Sequence, residues 1–152
     1  MAANVHWIDR LRDAVPFELS ALRQFEASLG RPLPGAYVKL LQQQNGGYIQ
    51  NCMFSVKIDG GSELSTVDPF YFLGPSSNRS TYNLWNCLAL WRRNGGSLDL
   101  IPIAGDGMGG ELLLNIASET GSVLMVQGES NEVHLVAPSF DEFLTQLHMP
   151  RD

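Results

Sequence analysis

The stretch SALRQFEASLGRPLPGAYVKLLQQQNGG, residues 20–47, constrains the fold more than any other part of the chain. Ser20 can cap a helix, because its hydroxyl accepts a hydrogen bond from an unpaired N–H of the first turn. Leu22, Phe25 and Leu29 then recur at i, i+3 and i+7, one apolar stripe. Gly30 can take the left-handed conformation that ends a helix. Arg31-Pro32-Leu33-Pro34 cannot continue it, since each proline lacks an N–H and restricts the residue before it. Pro34 suits the first position of a second helix, where no N–H is needed. Tyr37, Leu40 and Leu41 form the apolar face of that helix, and Gly46-Gly47 stops it. Packing, capping and turning account for every residue of the run, so it builds the fold and marks no site.

The remaining elements are shorter. Residues 5–14 read as a helix with Trp7, Ile8 and Leu11 toward the core, ended by Pro16. Met53 to Ile58 alternates at period two, like a half-buried strand, and Asp59-Gly60-Gly61-Ser62 reads as a turn. Residues 70–73 form a short aromatic strand closed by Gly74-Pro75. Ser80 or Thr81 can cap a third helix, whose buried face is Leu84, Cys87, Leu88 and Trp91. Arg92 and Arg93 complement its carbonyl end, and Asn94-Gly95-Gly96 stops it. Short strands are expected at 100–104, 111–116, 123–127 and 132–136, the middle two joined as a hairpin by Glu119-Thr120-Gly121-Ser122. Ser139-Phe140-Asp141-Glu142 is a capping box: the serine serves the fourth residue's N–H, and Glu142 reaches back. Phe140, Phe143, Leu144 and Leu147 give the last helix its stripe. Helices at the N-terminus, middle and C-terminus around a mainly antiparallel sheet of about five to six strands predict an α+β fold.

A chain of 152 residues is expected to be one domain. It buries roughly 70% of its unfolded surface, enough for a real core. Hydrophobic content of 44% beside 17% charge fits a globular protein, not a disordered one. No apolar run approaches the ~20 residues needed to span a bilayer. The opening MAANVHWIDRLRD lacks the basic-then-apolar order of a secretion signal, so a cytoplasmic protein is expected. Cys52 and Cys87 are too few for a disulfide scaffold, lack metal-ligand spacing, and read as buried free thiols. The charge is divided unevenly. Residues 1–93 carry +2 and residues 94–152 carry −8 of the total −6. Between Asn94 and Pro150 there are eight acids and no Lys or Arg. Such a surface disfavours nucleic acid and anionic membranes and favours a basic partner.

Chemistry is harder to find. Gly105-Asp106-Gly107-Met108-Gly109-Gly110 can expose N–H groups to an anion. It lacks the Lys-Ser/Thr of a nucleotide loop and leads into a strand, and Asp106 and Glu111 would repel phosphate. Asp106 with Asp59 or Asp68 matches no calcium-loop spacing. His6, His134 and His148 have no metal-ligand spacing; His134 faces outward with Val133 and Leu135 inward, or the reverse. Ser76, Ser77, Ser80 and Cys87 have no base nearby in sequence. Asp141 and Glu142 are explained by the helix N-terminus. No catalytic residue, metal or cofactor is therefore expected. Trp85 falls about 100° off its helix's apolar stripe, where a half-exposed tryptophan can anchor an interface.

Phe25-Glu26, Leu29-Gly30, Leu33-Pro34, Tyr37, Leu40-Leu41 and Asn45-Gly46-Gly47 together resemble the opening signature of the SUKH superfamily. That superfamily includes fungal cell-wall-synthesis regulators and bacterial immunity proteins that neutralise toxins. Phe72-Leu73-Gly74, the helix from Leu84 to Trp91, Ile101-Pro102-Ile103-Ala104, the glycine loop with Glu111-Leu112-Leu113-Leu114, and Ser139-Phe140 follow in the family's order. The resemblance covers about residues 20–147. It departs at Gly110-Glu111, where a glycine and a small polar residue, often Asn, are expected. The resemblance implies a non-enzymatic, cytoplasmic immunity-type protein that binds a toxin domain. The acidic half points to a basic toxin, a nuclease or deaminase, whose site an acidic inhibitor can occlude. Asp106, Glu111, Glu129 and Glu132, in loops or at strand ends, are the expected partner-binding acids, with Trp85 as an aromatic anchor. The alternative is a regulatory interaction module with an endogenous partner; a remoter one is a hydrolase using the glycine loop.

Overall fold

A computed structural model describes residues 4–128 and 131–150. Helix α1 (Leu19–Leu29) buries Ala21, Leu22 and Phe25, and Gly30 ends it at φ 75°, its N–H bonded to the Glu26 and Ala27 carbonyls. The helix starts one residue before Ser20. Glu18 holds the cap position without a side-chain bond, because its carbonyl already closes the first turn with the Leu22 N–H. Helix α2 (Gly35–Gln43) turns Tyr37, Leu40 and Leu41 inward. Pro34 stands at its cap, not inside it, and its carbonyl accepts from the Tyr37 and Val38 N–H groups.

Residues 5–14 are not a helix. They contain the short strand β1 (Trp7–Asp9), paired antiparallel with β2 (Tyr48–Ile49). Val5 and Trp7 turn inward while Ile8 is exposed, so the apolar residues follow period two, which over five residues mimics a helical stripe. A helix this short is costly to nucleate. The strand instead satisfies its backbone against residues 48–51: the Gln50 N–H donates to the His6 carbonyl, and the His6 N–H to Asn51 Oδ1.

The buried amide of Asn45 joins the helices to the rest of the fold. Its Nδ2 donates to the Val15 carbonyl at 2.9 Å and the Leu73 carbonyl at 2.8 Å, and its Oδ1 accepts from the Leu73 N–H at 2.8 Å. Gly46 lies so close to Phe72 that a Cβ there would sit 2.8 Å from the Phe72 Cβ. Gly47 exchanges both backbone hydrogen bonds with Phe70. Residues 70–73 are thus an extended ribbon held by bridges to Gly47, Ala104 and Asn83, not a strand of a continuous ladder. A second buried amide, Asn83, accepts from the Gly74 N–H and donates to the Pro75 and Asn78 carbonyls. Asn83, not Ser80 or Thr81, stands at the cap of α3 (Leu84–Arg93), with its side chain committed to that loop.

Strand β3 (Met53–Ile58) buries Phe54, Val56 and Ile58 and pairs with β4 (Gly61–Thr66), whose exposed, weakly patterned residues had indicated only a turn. The four strands β5 (Leu100–Gly105), β6 (Glu111–Asn115), β7 (Val123–Val126) and β8 (Val133–Ala137) form an antiparallel meander. The structure is α+β, its strands divided among three small antiparallel sheets. On β8 Val133 and Leu135 are exposed while His134 is turned in. Helix α4 (Phe140–Gln146) is capped by Ser139, whose Oγ accepts from the Glu142 N–H. Edge-on aromatic pairs tie the layers: Phe25 to Trp85 at 5.0 Å, Tyr37 to Phe140 at 5.4 Å and Phe54 to Phe143 at 5.4 Å.

Asn45→Ala leaves two carbonyls and one N–H without partners inside the protein. It should lower the unfolding free energy by about 3 kcal/mol in urea titrations, because a buried unmet polar group costs about 1–3 kcal/mol. A loss below about 1 kcal/mol would contradict the role given to this amide.

Candidate functional site

Meander topology brings the β5–β6 and β7–β8 connections to the same end of the sheet, where Gly105, Glu111, Val126 and Val133 stand side by side across the strands. The glycine loop here is locked from within. Asp106 is buried, and its Oδ1 accepts from the Met108 and Gly110 N–H groups, both at 2.8 Å. Those N–H groups are therefore not offered to an anion. Gly110 has a steric reason: a Cβ there would lie 2.4 Å from Asp106 Oδ2 and 2.6 Å from the Val126 carbonyl. Gly128, in the neighbouring connection, packs on the Gly109 backbone in the same way. Asp106 thus acts by shaping the loop and placing Glu111.

Glu111 is half-buried, and its Oε2 accepts a hydrogen bond from the Tyr71 hydroxyl at 2.8 Å. Tyr71 stacks on Tyr82 at 6.1 Å. Burial raises the Glu111 carboxyl above its ordinary value, the Tyr71 bond pulls it back, and the Asp106 charge adds to the rise. Tyr71 is held neutral by burial and by the Glu111 charge. Among the described residues no basic side chain forms an ion pair with Glu111.

Three clefts surround the loop. One of about 460 Å³ lies between the end of α3 and the loop end of the sheet. A second, of about 550 Å³, lies between α3 and the loop and includes Tyr71, Tyr82 and Arg93. A third, of about 530 Å³, lies against β4 and includes Glu63, Leu64 and Met108. Glu111 lines the first two. Of the described residues lining the three, the acids are Glu63, Asp106 and Glu111, and the one base is Arg93. Met108, at the loop tip, is 89% exposed, and Leu90 on α3 is 54% exposed. Exposed apolar side chains beside half-buried polar ones are the composition of a binding surface.

Glu132 is exposed, and its Oε2 lies 3.5 Å from His134 Nε2. It belongs to the same end of the sheet, since the Gln127 N–H bonds its carbonyl. Glu129 lies outside the described residues. Trp85 is elsewhere: it packs edge-on against Phe25 of α1, and its Nε1 donates to the Gly74 carbonyl at 3.1 Å. Tyr71, Tyr82 and Leu90 carry no sequence signal of a site; the fold places them beside Glu111.

No group of His, Cys, Asp and Glu side chains among the described residues could hold a metal ion. Burial pushes the Cys87 thiol up to about 12, and its Sγ donates to the Thr81 carbonyl, so it is a protonated, weak nucleophile at neutral pH. In native protein at about pH 8, iodoacetamide should label half-buried Cys52 at least about tenfold faster than Cys87, read by peptide mass spectrometry. Equal rates would contradict this reading.

The raised carboxyl also has a stability consequence. From its ordinary 4.5 up to its raised value, the folded chain holds more protons at Glu111 than the unfolded chain, so stability falls as pH rises through that window. Glu111→Gln removes this loss while keeping an acceptor for Tyr71. Thermal melts should show the variant more stable at neutral pH, by less than about 1 kcal/mol, with a flatter dependence on pH. A destabilised variant at neutral pH would contradict the assignment.

The family model described as the SMI1 / KNR4 family (SUKH-1) matches residues 16–146. No curated protein matches the chain. The match runs from just before α1 to the end of α4, taking in Asn45, Asn83 and the glycine loop. No helix among the described residues is long and apolar enough to cross a membrane. With the family pattern matched across this α+β core, the chain belongs to the SMI1 / KNR4 (SUKH-1) family, whose domains are of immunity or regulatory type and act through protein interaction.

Proposed function

We propose that this protein is a non-enzymatic immunity-type inhibitor that binds a toxin domain with a basic surface, a nuclease or deaminase, through the loop end of its four-stranded sheet. The observation that carries this reading is the gathering of Asp106, Glu111 and Glu132 at one end of the meander, beside exposed Met108 and Leu90. Acidic groups there would steer a basic domain into contact, and the apolar side chains would hold it. The clefts accept protruding side chains, as suits occlusion of an active site by surface contact. Asp106 serves as the internal brace of this surface; Glu111 and Glu132 meet the partner. Glu129, in the same connection as Glu132 by sequence, adds to the charge. Trp85 packs against Phe25 and the Gly74 backbone and lines none of the three clefts.

The experiment starts from capture of a basic partner from the source cells by the purified protein at low and physiological salt. Association with that partner is then followed for the native chain and for the pair Glu129→Lys with Glu132→Lys. The pair should slow association by about tenfold and flatten its dependence on salt, with a smaller effect on dissociation. Unchanged kinetics would sink the proposal, and an endogenous partner without toxic activity would favour a regulatory module instead.

A further inference from the structure

We propose that the cleft between the end of α3 and the loop end of the sheet receives one arginine side chain of the partner, its guanidinium meeting the Glu111 carboxylate. This rests on reading the loop end as the partner-binding face, and it narrows that reading to a single contact.

The cleft holds about 460 Å³, ample for one long side chain. Among the described residues lining it, Glu111 is the one charged group. Its Oε2 is already fixed by the Tyr71 hydroxyl, so the carboxylate is oriented before anything binds. Among the described residues, Arg93 is the one base of the second cleft, which Glu111 also lines, and it forms no ion pair with Glu111. The carboxylate therefore bears the cost of partial burial without a cation to offset it. A guanidinium entering from the partner would supply that cation.

Arginine fits better than lysine. The cleft wall includes Trp91, Gln127 and Asn131, an aromatic ring with two side-chain amides. A guanidinium presents five donors in a plane, stacks on aromatic rings and is weakly hydrated, whereas an ammonium is a compact, strongly hydrated point charge. Gly95, Gly96, Gly109 and Gly128 also line the cleft, so much of its wall is bare backbone.

The probe is the blocked tripeptide acetyl-Gly-Arg-Gly-amide, titrated into the ¹⁵N-labelled full chain and followed by amide chemical shifts. Shifts should be confined to residues 90–97, 109–111 and 126–128. They should vanish when citrulline replaces arginine and weaken with lysine. Glu111→Gln should raise the apparent Kd by about tenfold or more, with an otherwise native spectrum. Leu90→Trp, at an exposed position, should block the cleft without disturbing the core. Arg93→Ala should leave binding intact or tighten it, by removing a like charge. Shifts spread over the surface, equal response to citrulline, equal response to lysine, or unchanged binding by Glu111→Gln would each overturn the proposal. The two readings fail separately. Peptide binding that depends on Glu111, beside partner kinetics indifferent to Glu129→Lys and Glu132→Lys, removes the toxin-binding reading alone. Salt-sensitive partner binding with no peptide response at Glu111 removes the arginine contact alone.

Discussion

Asn45 is buried, and its amide bonds the carbonyl of Val15 and both backbone groups of Leu73. It sits at the end of the helix pair, so these bonds fix where the two helices meet the rest of the chain. Gly46 follows because a Cβ there would meet Phe72 of the 70–73 ribbon, and Gly47 because one there would meet the Asp9 carbonyl of β1. That ribbon in turn bonds β5 through Tyr71 and Ile103, so the position of the four-stranded sheet depends on the same clamp. Asn83 repeats the device at the start of α3. A buried amide with its groups satisfied contributes little net energy but excludes alternative placements, since any displacement leaves polar groups unpaired. The three residues Asn45-Gly46-Gly47 are thereby tied to structure and need no partner to explain them.

Much of the fold was legible because its elements are patterned locally. The stripes of α1 and α2, the period-two alternation of β3, the serine cap of α4 and the meander each rest on contacts within a short stretch. What was misread depends on distant chain. Residues 5–14 carry apolar spacing that fits either period, and β2, forty residues away by sequence, decides in favour of a strand. β4 has no hydrophobic alternation of its own and exists because β3 offers it a ladder. Asn83 could not be read as a cap with its side chain turned elsewhere, since Gly74, Pro75 and Asn78 claim it through loop geometry.

The proposed surface was legible in charge but not in shape. An acidic second half is visible by counting, and the meander gathers part of it at one end. Counting could not separate Asp106, which is spent on the loop backbone, from Glu111, which faces two clefts. Nor could it show that Trp85 is committed to α1 and Gly74. The departure at Gly110-Glu111 from the family's pattern lies in its second residue. Gly110 is required by the packing of Asp106 and Val126, and Glu111 replaces a neutral side chain with a half-buried charge. Such a charge weakens the isolated protein, and in the proposed complex a cation of the partner would offset it.

The proposed engagement of a partner through the loop end of the meander can be read directly in solution. The most direct test is hydrogen–deuterium exchange of the full chain, alone and saturated with the basic partner captured from its source cells. Exchange should slow in residues 90–97, 105–112 and 126–133, with α1, α2 and the β1–β2 pair unchanged. Protection centred on α1, α2 or the β1–β2 pair, with the glycine loop exchanging as before, would contradict it.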